Sequence, residues 1–338
     1  MTRGPRRTLL LAAACVLLAA PTAHAGPEQT LPPAQAPDGS TIDSAVRTDQ
    51  GYLDLEVYSA AMDTVIPVKV LPARDDSRPA PTLYLLNGAA GGHGGSSWFD
   101  RTDVPEFFAD KHVNIVIPIG GAGSYFTDWL RPDPVLGRMA WTTFLTRELP
   151  PIIDTALHTT KANAIAGISM AATSVFQLAI AAPGLYRAIG SYSGCIRTSD
   201  PLGQAMVAAV VARSRGDAAN MWGPPQDPAW TVNDPFLNAE KLRGTALYIS
   251  TGTGLPGRFD TPTSPGIDGD PNKYLDRLAV GGGVEAVTRY CVQTFGQRLA
   301  ELGIPATVVI RPTGTHSWGY WQDELHDSWP LLAATLDL

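Results

Sequence analysis

The chain has 338 residues, of which 44% are hydrophobic and only 17% charged, a composition that supports a large buried core and excludes a disordered protein. Acidic residues outnumber basic ones by 32 to 25, for a formal net charge of −7, and an acidic surface repels phosphate backbones, which excludes nucleic acid as a partner. Beyond the N-terminus no apolar stretch is long enough to span a bilayer.

At the start of the chain, Arg3, Arg6 and Arg7 precede an apolar run from Leu9 to Ala20, and Ala23-His24-Ala25 supplies the small residues of a cleavage site. This pattern predicts a secretory signal peptide over residues 1–25, with the mature chain beginning at Gly26. A lipobox at Ala13-Ala14-Cys15 is the weaker reading, because the apolar run continues past Cys15 and no leucine stands three residues before it. Removing the signal takes away three arginines and no acidic residue, which moves the net charge from −7 to −10. Cys15 leaves with it, so Cys195 and Cys291 remain as an even pair in an oxidising compartment and are expected to form a disulfide. Two distant cysteines with no nearby histidine pair lack zinc-ligand spacing, so neither a metal nor a cofactor is expected.

Residues 26–50, rich in Pro, Gln, Asp, Ser and Thr without an apolar period, read as a loose N-terminal arm, and residues 51–338 as one domain. Order is expected to begin at Tyr52: residues 52–57 alternate as an edge strand does, and residues 65–71, interrupted by Pro67, complete a hairpin. Short continuous apolar runs then recur at 82–86, 113–119, 162–166, 188–192, 246–250 and 307–310, a pattern suited to strands buried on both faces. Helical patterns fall between them at 104–111, 138–157, 170–182, 284–302 and 323–338. Strand and helix alternate, so the fold class is α/β, with a mostly parallel central sheet flanked by helices. The Gly-, Pro- and Asp-rich segments 198–244 and 252–283 read as insertions at strand ends.

Chemistry concentrates at Gly167-Ile168-Ser169-Met170-Ala171, where an apolar strand turns into a helix. A nucleophile elbow holds its serine in a strained turn and requires tiny residues two positions to either side, a condition that Gly167 and Ala171 meet. The competing reading of Ser169 is an ordinary helix N-cap. Two distant features favour the elbow. The glycine-rich stretch 87–92 after an early strand is placed to present a backbone N–H as half of an oxyanion hole, with the amide of Met170 as the other half. His316, in Gly314-Thr315-His316-Ser317-Trp318, follows the last strand, where a hydrolase fold carries its base. For the acid, residue types alone leave two candidates open. Asp260 follows the strand 246–250, and Glu285 begins the helix before the last strand, where it has the alternative role of a helix-dipole partner.

Four stretches, residues 84–88, residues 117–121 with 124–129, residues 167–172 and residues 314–321, resemble the antigen 85 mycolyltransferases and their corynebacterial relatives, and the likeness runs from about Tyr52 to the C-terminus. The resemblance implies an α/β-hydrolase fold without a large lid. It also implies an enzyme of the cell envelope that moves mycolic acids from trehalose monomycolate onto trehalose monomycolate or arabinogalactan. Its partners would be that glycolipid and a sugar acceptor, and its association with the envelope peripheral. Carried over by motif, the nucleophile falls on Ser169, the base on His316, and the oxyanion amides on Ala89 and Met170. The family's acid stands ten residues before a phenylalanine, as Glu285 stands before Phe295, so the resemblance favours Glu285 over Asp260. Asn87, Trp129 and Trp318 are the expected substrate-binding residues, with Tyr320 and Trp321 as further aromatic candidates. This chain departs from the family in carrying Asn87 and Ala90 where antigen 85 proteins have aspartate and arginine.

Overall fold

The computed structural model describes Met1 and residues 31–338; the expected signal peptide and its cleavage site lie outside the described residues, apart from Met1. The strands are β1 (Thr41–Arg47), β2 (Leu53–Ser59), β3 (Thr64–Leu71), β4 (Ala80–Leu86), β5 (Asn114–Pro118), β6 (Thr159–Ile168), β7 (Tyr186–Tyr192), β8 (Ala246–Thr251) and β9 (Thr307–Ile310). They form one nine-stranded sheet in the order β1-β2-β3-β5-β4-β6-β7-β8-β9. From β5 to β9 all pairings are parallel, and β1, β2 and β3 add an antiparallel flank joined to β5. This is the α/β-hydrolase fold, a mostly parallel sheet covered by helices on both faces.

Alternation along β4 shows why the central strands read as unbroken apolar runs. Leu83 and Leu85 point into one core, with Trp98, Phe108 and Leu325. Tyr84 and Leu86 point into the other, with Phe144, Met170 and Val175. A strand covered on both faces has no polar side to present. The helices include α1 (Leu149–Ala156), α2 (Met170–Ala181), α3 (Pro201–Arg213), α4 (Pro271–Asp276), α5 (Gly282–Glu301) and α6 (Trp318–Thr335).

The edges of the sheet differ from the sequence reading. Residues 41–47, taken as part of a loose arm, form β1 and pair antiparallel with β2, so β1 is the edge strand and β2 is interior. Only Ala45 of β1 is buried, and the strand owes its order to pairing with β2, which a local apolar period does not report. At the other edge, β9 was expected to be buried on both faces but is exposed or half-buried throughout. Pro67 interrupts nothing: it pairs with Glu56 in the β2–β3 ladder, and its carbonyl accepts from the amide of Ile119. The last helix begins at Trp318 rather than Asp323, which puts Trp318, Tyr320 and Trp321 on a helix.

Cys195, just past β7, and Cys291, in α5, are joined by a disulfide that closes a sequence separation of 96 residues. Closing so long a loop restricts the unfolded chain, and reduction is expected to destabilise the protein by about 4–5 kcal/mol in the chain-entropy model. Urea titrations of the oxidised and reduced protein measure this, and two free thiols in the non-reduced, denatured, exported protein would rule the bridge out.

Candidate active site

β6 ends at Ile168 and α2 starts at Met170, so Ser169 alone makes the turn. Its backbone has φ 55° and ψ −120°, a region that side-chain-bearing residues rarely occupy and that costs about 1–3 kcal/mol. The amide of Ser169 donates to the carbonyl of Tyr192 on β7 at 2.9 Å, which fixes the turn to the sheet. The small neighbours are a steric requirement: a β-carbon on Gly167 would lie 2.8 Å from the carbonyl oxygen of Ala171 and 2.9 Å from its β-carbon. The N-cap reading fails, because the Ser169 side chain makes no capping hydrogen bond.

The hydroxyl is engaged elsewhere. Ser169 Oγ lies 2.8 Å from His316 Nε2, and His316 Nδ1 lies 2.9 Å from Glu285 Oε2. The other carboxylate oxygen, Glu285 Oε1, accepts from the amide of Gly252 at 2.6 Å, from Ser193 Oγ at 2.7 Å and from Thr251 Oγ1 at 3.0 Å. Burial alone would push the Glu285 carboxyl up. His316 beside it, the Gly252 amide and the Ser193 hydroxyl outweigh burial and hold it below the ordinary glutamate value. It is therefore a carboxylate at neutral pH. Glu285 is not a helix-dipole partner either, since a π-helical turn, Arg277–Gly281, carries the chain from α4 straight into α5 and leaves no free helix start.

Asp260 is buried nearby but does not reach the imidazole. Its carboxylate accepts from Thr315 Oγ1, from Tyr320 Oη at 2.7 Å and from the amide of Gly257 at 2.8 Å. It fastens the segment before His316 to the start of α6. Trp321 packs edge-on against the His316 ring, with centroids 4.9 Å apart, and its Nε1 donates to Ser193 Oγ at 3.0 Å. Ser193 thus links the wall behind the histidine to the carboxylate in front of it. The sequence reading missed Ser193 and Thr251, which are ordinary polar residues at strand ends; the one available signal was their position after two buried strands.

Two cavities meet at Ser169, His316 and Ala89. The narrower, about 230 Å³, runs past Tyr125, Met206, Ala209, Val210, Val284 and the disulfide. The wider, about 610 Å³, opens past Ala90, Ser96, Asn272, Lys273, Arg277 and Trp318. Ala89 borders both, and a β-carbon on the preceding Gly88 would lie 3.4 Å from Ser169 Cβ, so this loop sits directly against the serine. Met170 is the first residue of α2, and the first N–H groups of a helix have no partner four residues back.

Trp318 lines the wide cavity, packed edge-on against Trp98 and Trp321. Asn87 and Trp129 line neither cavity. Asn87 is fully buried; its Nδ2 donates to the carbonyl of Pro118 at 3.1 Å and its Oδ1 accepts from the amide of Trp98 at 3.0 Å. That strut needs a donor and an acceptor on one side chain, which an amide has and a carboxylate lacks. Trp129 is buried, its Nε1 spent on the carbonyl of Ser124 at 3.1 Å. From the same segment it is Tyr125 that reaches the narrow cavity. The segment 198–244, read as an inserted loop, supplies α3, whose residues form one wall of that cavity.

A serine on a strained strand-to-helix turn, hydrogen-bonded to an imidazole that a buried carboxylate backs, on a parallel sheet, defines the class of α/β-hydrolase serine esterases and acyltransferases. The chain belongs to the putative esterase family, whose model matches residues 59–332. Among curated proteins it is 31% identical over 285 residues to the diacylglycerol acyltransferase/mycolyltransferase Ag85A of Mycobacterium leprae, an alignment covering 82% of this chain and 81% of that protein. Two solved structures share the fold. MPT51 of Mycobacterium tuberculosis superposes with a TM-score of 0.65 at 23% identity, over 84% of this chain and 98% of that one. An S-formylglutathione hydrolase from Agrobacterium tumefaciens gives 0.64 at 15% identity, over 87% and 99%. Among the described residues no helix is long and apolar enough to cross a membrane, and no three His, Cys, Asp or Glu side chains are grouped to hold a metal ion.

Proposed function

We propose that this chain is an exported serine acyltransferase that moves a mycolyl group from trehalose monomycolate to a sugar hydroxyl, on a second trehalose monomycolate or on cell-wall arabinogalactan, while associated peripherally with the envelope. The observation that carries the reading is the continuous series Ser169 Oγ, His316, Glu285 at 2.8 and 2.9 Å, placed where two cavities meet. The names of the Ag85 relatives support the choice of acyl group and reaction.

In this reading His316 takes the proton from Ser169 as its oxygen attacks the ester carbonyl, and Glu285 stabilises the imidazolium that forms. The oxyanion is held by the amides of Ala89 and Met170. His316 returns the proton to the departing sugar, leaving the acyl group on Ser169. A new sugar hydroxyl then gives its proton to His316 and attacks the acyl carbon, and the bond to Ser169 breaks as that proton passes to its oxygen. The narrow cavity, walled by Met206, Ala209, Val210 and Val284, suits the acyl chain, and the wide one suits the sugar.

The deciding experiment is incubation with trehalose monomycolate and identification of every acyl product. Trehalose dimycolate or acylated acceptor is the expected result. Free mycolic acid alone, even with excess sugar, would replace the transferase with a carboxylesterase, and no turnover of any ester would leave a silent cell-wall protein. A narrower prediction concerns Trp318. Its ring flanks the wide cavity and supports Trp321 behind His316, so it limits the access of water to the acyl-enzyme. Trp318→Ala is expected to raise the ratio of free acid to glycolipid product, and an unchanged ratio would remove Trp318 from that role.

A further inference from the structure

The wide cavity carries a charge opposite to that of the molecule as a whole. In a chain with 32 acidic and 25 basic residues, its wall presents Lys273, Arg277 and, at the border it shares with the narrow cavity, Arg213, against one carboxylate, Asp276. Arg101 adds a fourth cation beside the same wall. A β-carbon built on Gly266, which lines the cavity, would have Arg101 Nη1 at 3.6 Å and Arg277 Nη2 at 3.7 Å, and apart from its chain neighbours nothing else within 4 Å. Two guanidinium groups from different parts of the chain therefore face one open point. Neutral acceptors hold both in place. Arg277 donates from Nη1 to the carbonyl of Phe259 at 3.0 Å and from Nη2 to that of Pro265 at 3.2 Å, and Arg101 Nε donates to the carbonyl of Gly95 at 2.6 Å. Among the described residues, none of Arg101, Arg213, Lys273 and Arg277 forms an ion pair with a carboxylate.

Guanidinium groups fixed by backbone carbonyls and held in no ion pair beside a cavity form a preorganised anion site, because they present N–H forks suited to phosphate and carboxylate. Gly266, at φ +83°, keeps the space between them free of a side chain. We propose that the sugar entering the wide cavity carries an anionic group, a phosphate or carboxylate, which seats over Gly266 between Arg101 and Arg277 while a hydroxyl of the same sugar reaches the acyl carbon on Ser169. The inference rests on Ser169 as the acylated residue and names the acceptor class that the transferase reading leaves open. The chemistry adds no new step. The acceptor oxygen bonds to the acyl carbon, the bond from that carbon to Ser169 breaks, and the proton travels through His316 to the serine oxygen.

Binding tests this apart from turnover. Full-length protein with Ser169→Ala is titrated calorimetrically with trehalose 6-phosphate and with trehalose. The phosphorylated sugar is expected to bind at least about 10-fold more tightly at low ionic strength, with the advantage shrinking as salt is added. Adding Arg101→Gln should remove most of the advantage and Arg101→Glu all of it. The Arg101 side chain is exposed and donates only to Gly95, so an unchanged thermal midpoint certifies the fold. A parallel arm with phosphatidylglycerol vesicles distinguishes a lipid headgroup from a soluble sugar phosphate as the source of the anion. Binding in either arm that Arg101→Glu abolishes supports the site. Equal affinity for the two sugars with no vesicle binding, or an advantage that survives Arg101→Glu, overturns it. Because the measurement uses an acylation-dead protein, selective binding without acyl transfer by the parent enzyme would sink the transferase and leave the anion site standing.

Discussion

Ser169→Ala is expected to lower kcat for a chromogenic ester by about 10⁶-fold, since removing the nucleophile of such a triad costs about as much as removing all of it. The fold should survive. Alanine keeps the β-carbon, and it inherits the same strained backbone at φ 55°. The amide bond to Tyr192 is made by the main chain and is untouched. Ser169→Gly provides an internal control, because glycine adopts positive φ without a steric penalty and should be more stable than Ser169→Ala by about 1 kcal/mol while equally inactive. An alanine variant with near-parental turnover would remove Ser169 from the mechanism. Loss of turnover with a collapsed thermal midpoint would instead make the serine a structural residue.

How much of this site is legible in the sequence depends on whether a feature is local. The elbow is local: Gly167 and Ala171 must be small because they face each other across one turn, and the spacing reveals it. The burial of β4 and β5 is equally plain, since strands covered on both faces are apolar almost throughout. What escapes the sequence is decided by partners distant in the chain. β1 forms because β2 is there to pair with it. Asn87 has the residue type of a ligand contact and the surroundings of a strut, tying Pro118 to Trp98. Trp129 looks like a cavity wall and is core. Ser193 cannot be found by pattern, because its role exists only once β7, α5 and α6 converge on one hydroxyl. Between Asp260 and Glu285 residue type leaves the choice open and the family resemblance favours Glu285; both are buried within reach of the histidine loop, and the geometry brings the imidazole to Glu285.

That assignment makes the second large prediction a contrast. Glu285→Gln should lower kcat by about 10⁴-fold, the cost of replacing a triad carboxylate by its amide, which neither stabilises the imidazolium nor enforces the tautomer with a proton on Nδ1. Asp260→Asn should cost far less in rate, because Asp260 touches Thr315 and Tyr320 rather than His316. A pH series adds a readout that a structural role would not move. The Glu285 carboxyl is held below its ordinary value of 4.5 by His316, Gly252 and Ser193 despite its burial. In the folded state it binds its proton less readily than in the unfolded chain, so its contribution to stability is present above about the ordinary glutamate value and is lost as pH falls through the lowered one. In acid, Glu285→Gln should therefore flatten the decline of the thermal midpoint over that window, while Asp260→Asn leaves this part of the profile in place. A reversal of the two variants, with the rate collapsing in Asp260→Asn and persisting in Glu285→Gln, would transfer the acid to Asp260 and require the loop before His316 to rearrange on binding substrate.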